Sequence, residues 1–395
     1  MPNNFELYSA RILDYSLAGQ QQEEFSTCPG TATETAAKHL RFADRRGADT
    51  LILFGAADGR LAEALVKKKH ADQELVICDL YPEQIRQLNL SGFDKTLDER
   101  CAILTDSSIW AQLLLLFQNG YGATESHLIL NPGLTGKSKS RHQNLQKLFS
   151  GTKNIEIPNK GESSTISAAA ILSPDEPELE KFISCFPDWI EEIVLVWDCR
   201  ESESIPELRK FHNAEIINIR HPLNADFSAQ RNCMLTHCSG DWIIYLDADE
   251  RLDNKNWEIV RRAAASSECK SWYLPRMTFY PDKDHCRVGY GLWPDLQLRL
   301  FKNNDKIKFV NKIHEQLTGL EGSTGILPDC PIEHLTHLLK SREKIELKLK
   351  SFDKSTDGRF NHHLGTEYPH ILNDFISPRK GCEVGPLLLP DINMS

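Results

Sequence analysis

Several features that would direct this chain of 395 residues to a special environment are missing or scarce. The eleven cysteines form no Cys-x-x-Cys pair and no regular spacing, so we expect free thiols in a reducing compartment, with neither a zinc site nor a disulfide framework. No window reaches the ~18 consecutive apolar residues that a membrane-spanning helix needs. The first residues, Met1 to Glu6, lack the basic and apolar regions of a signal peptide. These absences predict a soluble cytoplasmic protein without a transmembrane segment.

Excess positive charge is also absent, because the formal net charge is −10. An acidic chain is a poor nucleic-acid coat, so we expect no nucleic-acid partner. One local basic stretch, from Lys340 to Lys350, is compatible with peripheral contact at a membrane surface. With 40% hydrophobic and 26% charged residues, the composition is that of an ordinary globular protein with room for two domains.

The most informative segment is an apolar run that ends in two carboxylates. Trp242 to Leu246 has the continuous apolar character of a strand buried on both faces, and Asp247 and Asp249 follow it directly. Ligands of open α/β sheets bind beyond the carboxyl ends of the strands. Asp-x-Asp at that position offers hard oxygen ligands for Mg²⁺ or Mn²⁺, which can bridge a diphosphate. The pattern alone is also common in solvated turns, so its surroundings decide its meaning.

Those surroundings resemble family 2 glycosyltransferases of the GT-A fold, and especially the subgroup with lipopolysaccharide core glucosyltransferases. In that subgroup a segment like F-S-x-x-R-N precedes G-D-W-I-x-x-L-D-A-D-E-R-L. Here Phe227, Ser228, Arg231 and Asn232 match the first segment, and Gly240 to Leu252 match the second. Further blocks continue the resemblance: the strands at 166–172 and 191–198, then Trp293 to Phe301, then Val310 to Glu315.

The resemblance implies a role for each matching residue. Asp249 would bind the divalent cation, Mn²⁺ or Mg²⁺, with Asp247 on the ribose or on the metal through water. The carboxylates Glu176 and Asp198 take the places of the nucleotide-binding acids. His314 would be the third metal ligand, against the alternative of a structural histidine. Arg231 and Arg299 are candidates for phosphate or carboxylate recognition, against the alternative of ordinary salt bridges.

For the general base we predict Asp295, beside Trp293 and Pro294, with Glu315 as the second candidate. The alternative is that Asp295 merely begins a strand. Glu250 and Arg251 are expected to brace the loop after the Asp-x-Asp strand. Two departures from the family pattern, Asp175 and the segment 199–202, fall near the nucleotide-binding positions.

The amino-terminal part reads as a second α/β unit. A strand at 50–55 leads through Gly55 and Gly59 to a helix, and the next strand ends in Asp79. This resembles the opening of class I methyltransferases, in which such residues bind S-adenosylmethionine. Gly55, Gly59 and Asp79 are thus a candidate second nucleotide or cofactor site, although a Rossmann-like scaffold without a cofactor is the favoured interpretation.

Together these readings predict an α/β protein, in which a GT-A nucleotide-diphospho-sugar transferase domain follows an N-terminal Rossmann-like domain. The predicted boundaries are a helical segment at 1–40, the Rossmann-like domain at 41–150, a linker at 151–164, the transferase domain at 165–335, and a C-terminal helix and tail at 336–395.

The predicted function is metal-dependent, inverting transfer from a nucleoside-diphosphate sugar to a saccharide, lipid-linked or protein acceptor, in the synthesis of a cell-surface glycan. Two alternatives stay open. One is a degenerate transferase that serves as a binding scaffold, which the departures at Asp175 and 199–202 favour. The other is a fused S-adenosylmethionine-dependent methyltransferase.

Overall fold

A computed structural model describes residues 4–15, 31–159, 164–313, 315–346, 368–377 and 383–391. Its first unit alternates helices and strands: α1 (Asn4–Asp14), α2 (Ala32–Arg46), β1 (Thr50–Phe54), α3 (Arg60–Lys68), β2 (Glu74–Asp79), α4 (Pro82–Leu90), β3 (Cys101–Thr105), α5 (Ile109–Gln118), β4 (Ser126–Leu130) and α6 (Gly136–Gly151). The four strands are all parallel, in the order β3-β2-β1-β4. Continuous apolar runs form these strands because helices cover the sheet.

The second unit contains the following elements: β5 (Lys153–Asn154), β6 (Ile166–Leu172), α7 (Leu179–Ser184), β7 (Glu192–Trp197), β8 (Glu215–Arg220), α8 (Phe227–Leu235), β9 (Trp242–Tyr245), β10 (Glu250–Arg251), α9 (Asn254–Ala264), β11 (Ser271–Thr278), β12 (His285–Arg287), β13 (Leu296–Lys302), β14 (Lys308–Val310), β15 (Gln316–Thr318), β16 (Thr324–Ile326), β17 (Ile332–His334), α10 (Thr336–Leu339), β18 (His370–Leu372) and β19 (Leu387–Leu388).

Strands β9, β6, β7 and β8 pair in parallel and form one half of the large sheet. On the other side of β9, β13 is antiparallel to both β9 and β11. The carboxyl ends of β9 and β6 therefore lie side by side at one edge. The predicted mixed α/β architecture is confirmed, and a ligand site at this edge stays a prediction.

The two units share apolar packing. One buried cluster contains Phe5, Phe54 and Leu113 of the first unit together with Val288 and Trp293 of the second. The segment predicted as a linker takes part in the sheet, because β5 pairs with β19. Within the described residues, no helix is long and apolar enough to cross a membrane.

After residue 335 the structure differs from the continuous helix that the sequence pattern predicts. α10 is a single turn, and Lys340 has an extended backbone with φ −119° and ψ 139°. This break matters because the side chain of Lys340 reaches the Asp-x-Asp segment. Residues 342–346 are helical again, and the part of the predicted helix from residue 347 onward lies outside the described residues.

Candidate active site

The two carboxylates of the Asp-x-Asp segment lie where the strand pattern predicts them. The backbone N–H of Leu246 donates to the carbonyl of Ala169 in β6, so the chain leaves β9 beside its parallel neighbour. The side chain of Asp247 is 30% exposed and that of Asp249 is 11% exposed. Gly240, just before the strand, has no room for a side chain, because a Cβ there would lie 2.6 Å from the backbone nitrogen of Ser167.

Asp247 belongs to an unbroken chain of alternating charges. Three arginines link four carboxylates, in the order Glu315, Arg231, Asp247, Arg299, Glu250, Arg276 and Asp295. The closest nitrogen-to-oxygen distances along it lie between 2.6 and 3.1 Å. Charged groups this far inside a protein need such partners, since an unpaired buried charge is very costly. We call this set the charge chain.

The charge chain shifts its acids in opposite directions. Burial by itself would raise the pKa of Asp247, but the guanidinium groups of Arg299 and Arg231 outweigh it and hold that pKa well below its ordinary value. Burial raises the pKa of Glu250 despite Arg299, and the negative charge of Asp247 raises it further. Asp247 is therefore negatively charged near pH 7. The guanidinium groups of its two partners, Arg231 and Arg299, both lie over the ring of Tyr245.

Asp249 lies in a second cluster with different partners. The Nζ atom of Lys340 is 3.3 Å from Asp249 Oδ2 and 3.0 Å from Glu176 Oε2. Although burial opposes it, these two carboxylates raise the pKa of Lys340. Glu176 follows β6 and Asp249 follows β9, so the structure brings together two acids that were predicted to bind the donor. Lys340, which the sequence placed only in a basic stretch, forms ion pairs with both.

A histidine also faces Asp249. His334 Nε2 lies 3.7 Å from Asp249 Oδ1, while its Nδ1 lies 2.9 Å from the hydroxyl of Thr278. Burial and then the positive charge of Arg276 lower the pKa of His334 to about 4, so the ring is neutral near pH 7. A neutral imidazole with one nitrogen held by a hydroxyl and the other beside a carboxylate has the chemistry of a metal ligand.

The donors around Asp249 thus suit a divalent cation that substrate oxygens also coordinate. The part of the chain that the structure describes contains no group of three or more His, Cys, Asp and Glu side chains arranged to hold a metal. Mg²⁺ and similar ions often use only one or two protein groups and complete their shell with water and phosphate. His314, which the resemblance suggested as a ligand, lies outside the described residues. His334 was not predicted.

The other predicted donor-site acid, Asp198, lies at the open edge of the sheet. It follows β7, is exposed, and its Oδ1 accepts a 2.7 Å hydrogen bond from the backbone N–H of Leu223. Asp175, which is also exposed, accepts a hydrogen bond from the hydroxyl of Ser173. A local turn thus holds Asp175, whereas Asp198 is held by a segment 25 residues away along the chain.

Asp295, the predicted base, is held firmly beside a cleft. Its Oδ2 accepts hydrogen bonds of 2.8 and 2.6 Å from Nε and Nη2 of Arg276, and Oδ1 accepts a 2.8 Å bond from Gln297 Nε2. Its backbone has φ 41°, a strained conformation for a residue with a side chain. Asp295 also lines a cleft of about 350 Å³. Glu315, the second candidate base, is bound to Arg231 at 2.6 Å.

The candidate cofactor residues of the first unit are occupied in another way. Asp79 is 1% exposed, and its two oxygens accept backbone N–H groups of Ala56 and Tyr81, each at 2.8 Å. A Cβ on Gly55 would lie 2.6 Å from the side chain of Leu134, and one on Gly59 would lie 3.1 Å from Phe93. Both glycines have positive φ. These contacts favour a packing role for the three residues, and a cofactor site there stays a prediction.

Comparison with known proteins finds a family match for one part of the chain. Residues 177–316, about a third of the chain, match the model of glycosyl transferase family 2. The segment contains Asp198, the Asp-x-Asp pair and Asp295. The match confirms the predicted glycosyltransferase domain, whereas the lipopolysaccharide-core subgroup and the methyltransferase-like character of the first unit stay predictions.

Individual relatives agree with this class. The chain is 23% identical to the prophage-derived glycosyltransferase SunS of Bacillus subtilis over 44% of this chain and 38% of that protein. It is 30% identical to the lipopolysaccharide core biosynthesis glycosyltransferase LpsC of Rhizobium meliloti over 25% of this chain and 36% of that one. The chain thus spans little more than a third of each relative's length. A crystal structure of S. aureus TarS, residues 1–349, aligns with a TM-score of 0.29 and 13% identity, over 37% of this chain and 50% of that one.

Proposed function

We propose that the protein transfers a sugar from a nucleoside-diphosphate donor to an acceptor hydroxyl, with the donor bound at the joined ends of β6 and β9. The observation that supports this most is the cluster of Asp249, Glu176, His334 and Lys340 at that edge. It combines a carboxylate and a neutral imidazole for a cation with a lysine for a phosphate. It borders the family-matched segment, which contains Asp249.

Asp249 and His334 would hold Mn²⁺ or Mg²⁺. The ion would act as a Lewis acid on the departing diphosphate. Lys340 forms ion pairs with Asp249 and Glu176, and with a cation bound its ammonium group is free to turn to a phosphate oxygen. Arg231 adds a further donor, because its buried Nη1 has no hydrogen-bond partner among the described residues.

Asp295 is the proposed base for an inverting reaction. Inversion requires a group that removes the acceptor proton on the face opposite the leaving group. The charge chain joins Asp295 to Glu250, which directly follows Asp249, so the acceptor and donor sides are connected by ion pairs. Arg276 fixes the orientation of the carboxylate toward the cleft. Action on a glycan acceptor and a cytoplasmic location remain part of this proposal.

A thermal-shift titration tests the donor site. The wild-type protein is heated with UDP, GDP and CDP, with and without Mn²⁺, alongside Asp249→Ala and the exposed control Asp305→Ala. We expect one nucleotide to stabilise the wild type and the control in a metal-dependent way, and to leave Asp249→Ala unshifted. A protein that no nucleotide stabilises would instead be the binding scaffold, with Lys340 closing a donor site that is no longer used.

A further inference from the structure

A groove runs from Asp295 across the boundary between the two units. The cleft beside Asp295 shares Ser108, Trp110 and Gly291 with a second cleft of about 420 Å³. The second cleft continues along the first unit to Arg141 and Asn144. One wall of the combined groove therefore comes from the family-matched segment and the other from the amino-terminal unit, outside that match.

The two walls are in direct contact. Within the first unit, Tyr8 of α1 donates a 2.6 Å hydrogen bond to the buried carboxylate of Asp106, and across the boundary its ring lies 6.1 Å from that of Trp293. Tyr290, which lines the groove, donates a 2.7 Å hydrogen bond to the carbonyl of Tyr15. The shared apolar cluster continues beneath these contacts. A groove with fixed walls loses little freedom when a ligand binds, which favours binding.

The lining is suited to a saccharide. Trp110, Tyr273 and Tyr290 are partly buried, and each combines an apolar ring with a polar atom. A sugar ring has a matching character, with a C–H face that packs on an aromatic ring and hydroxyls along its edge. Ser107, Ser108 and Asn144 add side-chain partners for those hydroxyls. Pockets with apolar walls and a few directed polar groups are typical small-molecule sites.

Arg141 stands at the far end of the groove in a prepared orientation. Its guanidinium lies 5.1 Å from the ring centre of Tyr81, and its Nη2 donates a 2.7 Å hydrogen bond to the carbonyl of Ser107. The remaining guanidinium N–H groups are in a planar fork, which binds carboxylate or phosphate well. The charge at this end is opposite to that of Asp295 at the other.

We propose that the amino-terminal unit is the acceptor-binding domain, and that the acceptor is an oligosaccharide with an acidic substituent. Its reacting hydroxyl lies at Asp295, its next ring packs on Trp110, and its carboxylate or phosphate group binds Arg141. This assignment rests on the proposed transferase function. It gives the first unit a role without any cofactor at Gly55, Gly59 or Asp79.

Saturation-transfer NMR tests this proposal with defined probes: methyl glucoside, methyl galactoside, glucuronic acid and glucose 6-phosphate. The variants are Trp110→Ala and Arg141→Gln, matched by the exposed controls Phe42→Ala and Arg41→Gln. We expect an acidic probe to bind the wild type and both controls. Trp110→Ala should weaken that binding by about tenfold, as the loss of one aromatic contact predicts. Arg141→Gln should remove the preference for acidic over neutral probes.

Asn144→Trp guards against misfolding of Trp110→Ala, because it fills the groove from an exposed position on α6 and should also block the probes. The proposal is overturned if no probe binds, or if binding is unchanged in Trp110→Ala, Arg141→Gln and Asn144→Trp. Nucleotide thermal shifts of the same variants separate the two proposals. Saccharide binding that depends on Trp110, without any nucleotide shift in the wild type, supports the groove and refutes the donor site.

Discussion

The two units present the same local pattern, a buried strand followed by an acid, with opposite results. In the first unit the oxygens of Asp79 accept backbone N–H groups at 2.8 Å, and burial raises its pKa. In the second unit Asp247 is bound by two arginine side chains, which outweigh burial and lower its pKa. Asp79 holds a turn through backbone hydrogen bonds, whereas Asp247 belongs to a set of paired side-chain charges.

The difference teaches what to look for when a strand ends in an acid. Backbone N–H groups keep their positions in the folded protein, so an acid whose oxygens are all bound by them has a structural role. Side-chain partners such as Lys340 can exchange for a ligand. The residue type and its position on the strand are alike in the two units, and the identity of the hydrogen-bond donors separates them.

The largest expected effect is a loss of stability on removal of Arg299. Arg299→Met leaves the buried Glu250 and the partly exposed Asp247 without their shared cation, so we expect a loss of roughly 3 to 5 kcal/mol in the free energy of unfolding. Urea denaturation of the variant and of the exposed control Arg45→Met measures this. Equal stability of the two variants would mean that the charge chain contributes nothing to the fold.

Asp249→Asn removes a charge from the side-chain-held cluster while keeping its shape. We expect transfer activity to fall by roughly 100-fold to 1,000-fold, because the proposed cation, which would stabilise the leaving group, would lose its carboxylate. The fold should remain intact, as a thermal melt without ligands would show. Initial rates with the donor identified by the thermal-shift screen provide the measurement. Activity within a few-fold of the wild type would remove Asp249 from the mechanism.

Asp79→Asn is the matched change in the first unit, and it should lower stability while leaving transfer activity nearly unchanged. In asparagine an N–H₂ donor replaces one of the two accepting oxygens of Asp79. One of the two backbone N–H groups then has no acceptor, so we expect a loss of about 2 kcal/mol in stability. Transfer rates at a temperature well below unfolding should stay near those of the wild type. A selective loss of activity with unchanged stability would instead indicate a ligand at Asp79.

The smallest effect is a pH dependence at Asp106, another buried acid at a strand end of the first unit. Burial raises its pKa from 3.8 to about 6, so between these values the folded state holds a proton that the unfolded state has released. The stability contribution of Asp106 is therefore complete below pH 3.8 and is lost as the pH rises through about 6.

Between pH 5 and pH 7.5 this loss should be about 1.4 kcal/mol, and it should be absent from Asp106→Asn. Urea midpoints of the two proteins at both pH values measure it. If the stability difference between the wild type and Asp106→Asn is the same at both pH values, Asp106 stays ionised in the folded protein.

The sequence predicted the elements with strong local signals. The runs at 50–55 and 242–246 are mostly apolar, and each forms a strand within about one residue of the expected bounds. The Asp-x-Asp pair was found for the same reason, since its strand and the matching segment before it are contiguous. Its assignment to a glycosyltransferase domain followed from that contiguity.

Which acid each partner binds was not predictable, because the partners come from distant segments. Arg276 contacts Glu250, and Lys340 contacts Asp249, across long stretches of chain. A signal was present for Arg276 and Arg299, since each interrupts an apolar strand and a buried arginine requires a carboxylate. For His334 and Lys340 no such signal exists, because only the short turn of α10 and the extended residue after it bring Lys340 to the edge.

The pairing of β5 with β19 bears on how the protein can be divided. Residues 153–154 leave the first unit, yet they complete the sheet of the second by joining residues 387–388, and the backbone N–H of Ile155 donates to the carbonyl of Pro386. Cutting the chain between the units would expose an unpaired strand edge and part of the common apolar cluster, both of which promote self-association. The two units should therefore be expressed and studied as one piece.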